Sequence, residues 1–417
     1  MSGPETELSI PFMHWGIIHP GPENFVVSSM YVPDADGLCP IERIPLKVWD
    51  NHSGIVVAHN GSSYPVPGKY TGSFTIVSPT RSQRPAELKE GPQKPERDIL
   101  EAIINGDDHA ILVSTEDISY RSSVFSVRPV KERIGSAAGT IINRYPPFVR
   151  VIDPEIERRV EEYSETDSRR IAKGVCLVAF PTKFYEQLGD METEDLASVL
   201  SSLRLAIGES VEAAHESGNR YIPVSMFINT AKDTGRSLKR FHFQAYVDLT
   251  GDGHGSLTQR TLQAFEYDAR NGGCRLCKRV MELDTPYSPG RFAERVLYQN
   301  DNWILWASGA PRVPYHLKFM PRQHIADITE MSREQIRDLA DVLVLADNIL
   351  NRAGVVQGKH VIFNQRPFDY GSSYHQFGEI RPNAVVGSFE RMDDGSVIAK
   401  HPRYVARALR EVIASYR

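Results

Sequence analysis

Apolar residues in this chain come in short bounded runs, and their spacing sorts into two periods. Residues 73–78 and 175–180 are apolar, β-branched stretches between turn formers, the pattern of strands. Residues 110–113 and 124–127 predict a further strand pair, and the polar, proline-rich stretch 82–97 predicts a long surface loop. The first seventy residues place apolar bursts at 25–27 and 54–57 among Pro, Gly and Asn, which predicts short strands and loops.

Sliding the chain against itself shows an internal repeat, as residues 181–196 align without a gap on residues 321–336. In each copy an apolar strand (175–180; 317–320) runs into a proline, and a segment with apolar residues at helical spacing follows. Thr193 and Ser332 stand ahead of acidic first turns and read as helix caps. Each copy continues with a strand (224–229; 361–364), a loop, and a final strand containing a histidine (241–247; 375–381). The Asn-Gly-Gly run within residues 267–273 reads as the joint. The expected organisation is an irregular amino-terminal extension, 1–70, a first repeat, 71–265, and a second, 266–417. Antiparallel strands with helices packed on them make the class α+β.

Composition narrows the function. The 417 residues are 41% hydrophobic and 24% charged, enough apolar matter for two or three cores. A net charge of −5 argues against general affinity for nucleic acid, so any nucleotide is bound locally. No apolar run is long enough to cross a membrane, and the first ten residues lack the basic and apolar regions of a signal peptide, so the expected location is cytoplasmic. No Walker-type phosphate loop is present. Of four cysteines, Cys39 and Cys176 read as buried fillers, whereas Cys274 and Cys277 form a C-x-x-C pair that reads as metal or redox chemistry. The tryptophans at 303 and 306 read as core, and the histidines without interpretable spacing read as surface or core residues.

The last strand of the first copy carries the chemistry. Arg240, His242 and Gln244 alternate, so on a strand they share a face that holds a cation, an imidazole and an amide. A neutral imidazole can attack phosphorus while the amide and guanidinium stabilise the phosphoryl oxygens. The plain alternative is a solvated polar face.

Asn229, Ala231, Gly235, Ser237, His242 and Gln244 fall in the register of an active-site pattern. On them, the chain resembles the galactose-1-phosphate uridylyltransferase branch of the histidine-triad (HIT) superfamily. Residues 71–85, with Arg81 and Arg84, are similar to that family's first strand and arginine loop. Residues 142–146, with Asn143, are similar to its Pro-Asn-Lys-Phe-Pro segment. The resemblance implies that His242 takes up a nucleoside monophosphate covalently, and that Gln244 holds the phosphoryl oxygens. It also implies that Ser237 and Asn229 line the phosphate site and that Arg81, Arg84 and Asn143 bind the nucleotide. Family members pair as dimers, which implies a homodimer with Gln365, Arg366, Tyr374 and Arg381 among the candidates for acceptor contacts.

Two departures stand out. The family's first half usually has its own C-x-x-C pair and a histidine where this chain has Arg240, and arginine cannot ligate zinc. The first half is therefore expected to be metal-free, with Arg240 lending charge near the phosphates. In the second copy Cys274, Cys277, His324 and His375 match positions of a recurring zinc site of the superfamily, implying closed, structural Zn²⁺ coordination. The alternatives are a reduced cysteine pair beside unrelated histidines, or a redox pair, which no helix start at Cys274 is expected to support. The second copy has Phe377 and Glu379 in place of the nucleophile and amide, so bond-making is expected in the first alone.

The leading expectation is a nucleotidyltransferase or nucleotide-sugar phosphorylase working by double displacement, with phosphate or a sugar phosphate as acceptor. A hydrolase or dinucleotide phosphorylase in the same site is the second. A zinc-stabilised nucleotide-binding protein without catalysis is the third.

Overall fold

A computed structural model describes residues 14–18, 44–49, 70–78, 98–154, 157–158, 169–284, 292–371, 373–385, 387–388 and 395–416. Arg81, Arg84 and Cys39 lie outside them. In chain order the first elements are β1 (Ile17–Ile18), β2 (Leu46–Trp49), β3 (Tyr70–Gly72), β4 (Phe74–Val77), α1 (Ile99–Ile104), β5 (Leu112–Thr115) and β6 (Ala138–Ile142). They continue with β7 (Val151–Ile152), β8 (Arg169–Ile171), β9 (Gly174–Pro181), α2 (Thr193–Glu216), β10 (Val224–Asn229) and β11 (Phe243–Asp248). Next come β12 (Gly253–Gly255), α3 (Ser256–Arg270), α4 (Arg275–Asp284), β13 (Val296–Gln299), β14 (Trp303–Ala307) and β15 (Leu317–Pro321). The last are α5 (Arg333–Arg352), β16 (Lys359–Asn364), β17 (Phe377–Pro382) and α6 (Pro402–Tyr416).

Mixed helices and antiparallel strands make the fold α+β. Ten strands form one sheet in the order β13-β14-β15-β17-β16-β10-β11-β9-β6-β5, every pairing antiparallel. The order reads the same outward from the central β10–β16 pair, with a long helix between the third and fourth strands on each side. Residue offsets agree: Pro181 and Pro321 end their strands, and a one-turn 3₁₀ segment begins seven residues later in both, at Leu188 and Ile328.

The long helices form for ordinary reasons. Ser332 caps α5, its side chain accepting from Gln335 N while Gln335 reaches back to the cap. The buried residues of α5, Ile336, Leu339, Ala340, Leu343 and Ala346, follow helical spacing, as do Leu196, Leu200, Leu203 and Ile207 of α2. Both helices share one core with Phe243, Ala245 and Val247 of β11. Alternation along β11 then turns Gln244 toward the opposite face. There Leu100 and Ile103 of α1 pack on Ile141 and Val178.

Several local expectations change. Residues 124–127 form no strand, because a 3₁₀ turn at Arg121–Ser123 leads into them. Thr193 is the first residue of α2 rather than its cap, and its neighbour Glu192 makes no side-chain cap bond. Most of the expected joint is helical, since α3 runs to Arg270 and leaves only a turn in which Gly272 and Gly273 take positive φ. Cys274 precedes a helix, not a strand, and so does stand at a helix start. The final strands begin at Phe243 and Phe377, which leaves Arg240, His242 and His375 just outside the ladder.

Described parts of residues 1–70 join the body of the fold. β2 pairs with β4 and β8, and Trp15, Ile17 and Ile18 are buried. Lys47 on β2 is 0% exposed, and its Nζ lies 2.8 Å from both Asp248 Oδ2 and Asp252 Oδ1. Asp248 ends β11, so this pair ties the amino-terminal strand to the strand that follows His242. Lys47→Met leaves two buried carboxylates without their cation and is expected to cost about 3–5 kcal/mol in urea unfolding. A loss below about 1 kcal/mol removes the argument.

Candidate functional site

The loop after β10 turns sharply at Gly235, whose φ of 92° favours glycine, and brings Ser237 over the sheet. Ser237, Leu238, His242 and Gln244 then meet Asn143, Arg144 and Tyr145 after β6 and Ile99, Leu100 and Ile103 of α1. Together with Ile141 and Val178 they line an open cleft. One side is aliphatic and suits a flat apolar ring, and the other carries imidazole, amide and hydroxyl groups.

His242 is 4% exposed, and its Nδ1 lies 3.0 Å from the Arg240 carbonyl. A carbonyl only accepts, so Nδ1 carries the proton and the ring's lone pair is on Nε2. Such a tautomer is a neutral nucleophile. Gln244 Oε1 lies 3.4 Å from the Tyr246 hydroxyl, which occupies the amide's acceptor end and leaves its N–H₂ as the donor end. Asn143 Oδ1 accepts from Tyr145 N at 2.9 Å, which fixes the turn at the cleft wall.

Four predicted residues therefore meet in the cleft: His242, Gln244, Ser237 and Asn143. Two do not line it. Asn229 lies behind the loop, where its Oδ1 is 3.1 Å from His360 Nδ1 across the central strand pair. Arg240, expected to share the face of His242 and Gln244, is turned away because it precedes the ladder and nothing enforces alternation there. Its guanidinium is 1% exposed and pairs with Asp98 at 2.8 Å and with Glu101. The α1 residues of the cleft were missed in the sequence. The available signal was Asp98 three residues before Glu101, followed by apolar Ile99, Leu100, Ile103 and Ile104.

In the second half, the position of Gln244 is taken by Glu379, which sits between an imidazole and two cations. His316 Nε2 is 3.3 Å away, Lys318 Nζ 2.9 Å, and Arg381 bonds it as well. Arg312 N donates to His316 Nδ1 at 3.1 Å, which places the proton of the neutral ring at Nε2, on the Glu379 side. Burial outweighs the pull of Glu379 on His316 and lowers the pKa of that ring. For Glu379, burial raises the pKa, but the His316 hydrogen bond, Lys318 and Arg381 together hold it far below the usual carboxylate range. Phe377 stands where the first half has His242, and Lys318 lies over its ring.

Cys274, Cys277, His324 and His375 come together, their ligand atoms all within 4.8 Å of one another. His375 Nδ1 is 3.4 Å from each sulfur, and His324 Nδ1 is 3.3 Å from Cys277 Sγ. Metal bonds of about 2.3 Å to sulfur and 2.0–2.1 Å to nitrogen, set tetrahedrally, place S and N roughly 3.5 Å apart. The spacing therefore suits a tetrahedral cation, and the four residues form a group that could hold a metal. Burial lowers the His375 pKa to about 4, and its Nε2 lies 3.0 Å from the Pro321 carbonyl, so Nδ1 is the nitrogen on the sulfur side. Burial, then Cys274, pushes the Cys277 thiol up to about 11, so loading a metal here releases protons.

No protein-family profile matches the chain. Over 80 residues, 19% of this chain and 70% of the relative, it is 26% identical to an uncharacterised HIT-like protein of Synechococcus elongatus. The fold is similar to that of a uridylyltransferase mutant, with a TM-score of 0.57 and 20% identity over 68% of this chain and 89% of the other. It is equally similar to an ADP-glucose phosphorylase from Arabidopsis thaliana with bound ADP-glucose, with a TM-score of 0.57 and 17% identity over 81% and 95% of the two chains. The chain thus shares its fold with these uridylyltransferase and phosphorylase structures. Among the described residues no helix is long and apolar enough to cross a membrane.

Because Glu379 is held ionised, its contribution to stability is complete above the ordinary carboxylate range and is lost progressively below it, as pH falls toward the depressed pKa of the folded state. Glu379→Gln is expected to destabilise the protein at neutral pH, with the difference from wild type shrinking below about pH 4 in urea unfolding. A difference that grows with acidity contradicts this charge balance.

Proposed function

We propose that this chain is a nucleotidyltransferase or nucleotide-sugar phosphorylase that acts by double displacement through a nucleotidyl-histidine at His242. The observation that carries the reading is the His242 ring, its proton held on Nδ1 by the Arg240 carbonyl, in a cleft with Gln244, Ser237 and Asn143. In the first step His242 Nε2 bonds to the α-phosphorus of a nucleoside diphosphate compound as the bond to the leaving phosphate oxygen breaks. In the second, an oxygen of phosphate or a sugar phosphate bonds to that phosphorus and the P–N bond breaks. Gln244 N–H₂ and the Ser237 hydroxyl donate to the phosphoryl oxygens. Asn143 and the aliphatic wall of α1 hold the nucleoside, and Arg81 and Arg84 add nucleotide contacts. Asn229 positions the loop.

Gln244 favours transfer over hydrolysis. An amide cannot titrate, so it gives no acid to a leaving group and no base to water. The chain comprises an amino-terminal extension, 1–70, and two tandem HIT-like repeats, 71–265 and 266–417, a division supported by the palindromic strand order. It works as a cytoplasmic homodimer. Cys274, Cys277, His324 and His375 would hold a Zn²⁺ ion, which when bound cross-links the turn after β15 to the segment before β17 and has no part in bond-making.

Incubation with a panel of nucleoside diphosphate sugars is expected to add one nucleoside monophosphate to the intact mass, and His242→Ala is expected to abolish both adduct and turnover, on the order of 10⁴-fold or more. Turnover surviving in His242→Ala without any adduct rejects the mechanism. Product formed in plain water, without phosphate or sugar phosphate, shows a hydrolase instead.

The metal reading has its own readout. Elemental analysis is expected to find one zinc per chain, lost in Cys277→Ser, and chelation is expected to lower the unfolding midpoint. An unchanged midpoint after complete zinc removal rejects the structural role.

A further inference from the structure

We infer that Asp98, Arg240 and Glu101 form an ion triad that positions His242, doing with charge in the first half what the Cys₂His₂ group does at the matching place in the second. This rests on His242 being the residue that is loaded. β9 and β11 pair Val178 with Gln244, and β15 and β17 pair Lys318 with Glu379, which makes Gln244 and Glu379 equivalent. Four residues earlier in each copy stand Arg240 and His375.

Both reach back to the end of the same strand. His375 Nε2 lies 3.0 Å from the Pro321 carbonyl, while Arg240 Nη1 donates to the Thr182 carbonyl at 3.0 Å and the Pro181 carbonyl at 3.4 Å. Beyond that contact the two halves differ. His375 faces two cysteines and a second histidine, whereas Arg240 Nε donates to Asp98 Oδ2 at 2.8 Å, its Nη2 bonds Glu101, and Phe184 lies beneath the guanidinium. All three guanidinium nitrogens are therefore used, in a fork that an ammonium group cannot copy.

The triad bears on the nucleophile in two ways. It anchors the side chain of the residue whose carbonyl holds the His242 proton, and so sets the direction of the Nε2 lone pair. It also anchors the cleft wall. Asp98 Oδ1 caps α1 by accepting from Leu100 N at 3.0 Å and Glu101 N at 3.2 Å, so one carboxylate carries Arg240 on one oxygen and the wall helix on the other. Asp98 and Arg240 are thus positioning residues, and Glu101, about half exposed, is the weaker partner.

Asp98→Asn keeps an oxygen to cap α1 and removes only the charge, and Arg240→Lys keeps the charge and removes the fork. In single-turnover loading with the donor that labels wild type, both are expected to slow nucleotide transfer to His242 by roughly 10- to 100-fold. Donor affinity stays close to the wild-type value, and Glu101→Gln has a smaller effect. The pH midpoint for carbethoxylation of His242 by diethylpyrocarbonate is expected to move in Asp98→Asn, which a role in stability alone does not produce. Loading at the wild-type rate with an unmoved midpoint, in both Asp98→Asn and Arg240→Lys, overturns the proposal. If wild type itself is loaded by no donor, the functional reading has failed, and the brace is then judged by the midpoint alone: identical values in wild type and Asp98→Asn overturn it.

Discussion

A single hydrogen bond, from His242 Nδ1 to the Arg240 carbonyl, is the constraint on which the site depends. An imidazole in water exchanges its proton between two nitrogens and rotates freely. Here one nitrogen is committed to a backbone acceptor, so the other is left with the lone pair and a fixed bearing. That commitment is only as firm as the backbone at Arg240. The residue precedes its strand, and its buried, fully paired guanidinium supplies the anchoring that ladder hydrogen bonds supply further along.

The two halves of the sheet show how one framework takes different side chains. At one position it carries a neutral amide, Gln244, facing a cleft. At the equivalent position it carries a carboxylate, Glu379, locked by His316, Lys318 and Arg381. The first arrangement leaves donors for an anion, and the second has spent its cations on an internal acid. Electrostatics alone makes the second half a poor place for a phosphate, before the change of His242 to Phe377 is considered. The Cys₂His₂ group lies in this second half.

Much of this was legible in one dimension. The repeat offset, the strand at Val224–Asn229 and the cap at Ser332 follow from spacing, because each depends on residues close in sequence or on a pattern written twice, whereas the four-residue metal group came from the family resemblance. The α1 helix was hidden because it is six residues long and follows a proline-rich stretch of sequence, and local periodicity over so few residues is weak. Arg240 was misplaced for a related reason. Alternation holds only where a ladder enforces it, and the ladder starts three residues later.

By itself, then, the sequence determined that the chain is α+β and that His242 and Gln244 belong to one short motif, since those properties reside in composition, period and adjacency. Tertiary structure decided which residues share the cleft with that motif, and what neutralises Arg240. It also decided that Lys47, two hundred residues away, is buried between Asp248 and Asp252. Those outcomes turn on pairings between distant segments, where burial sets the cost of an unmatched charge, and no window along the chain contains both partners.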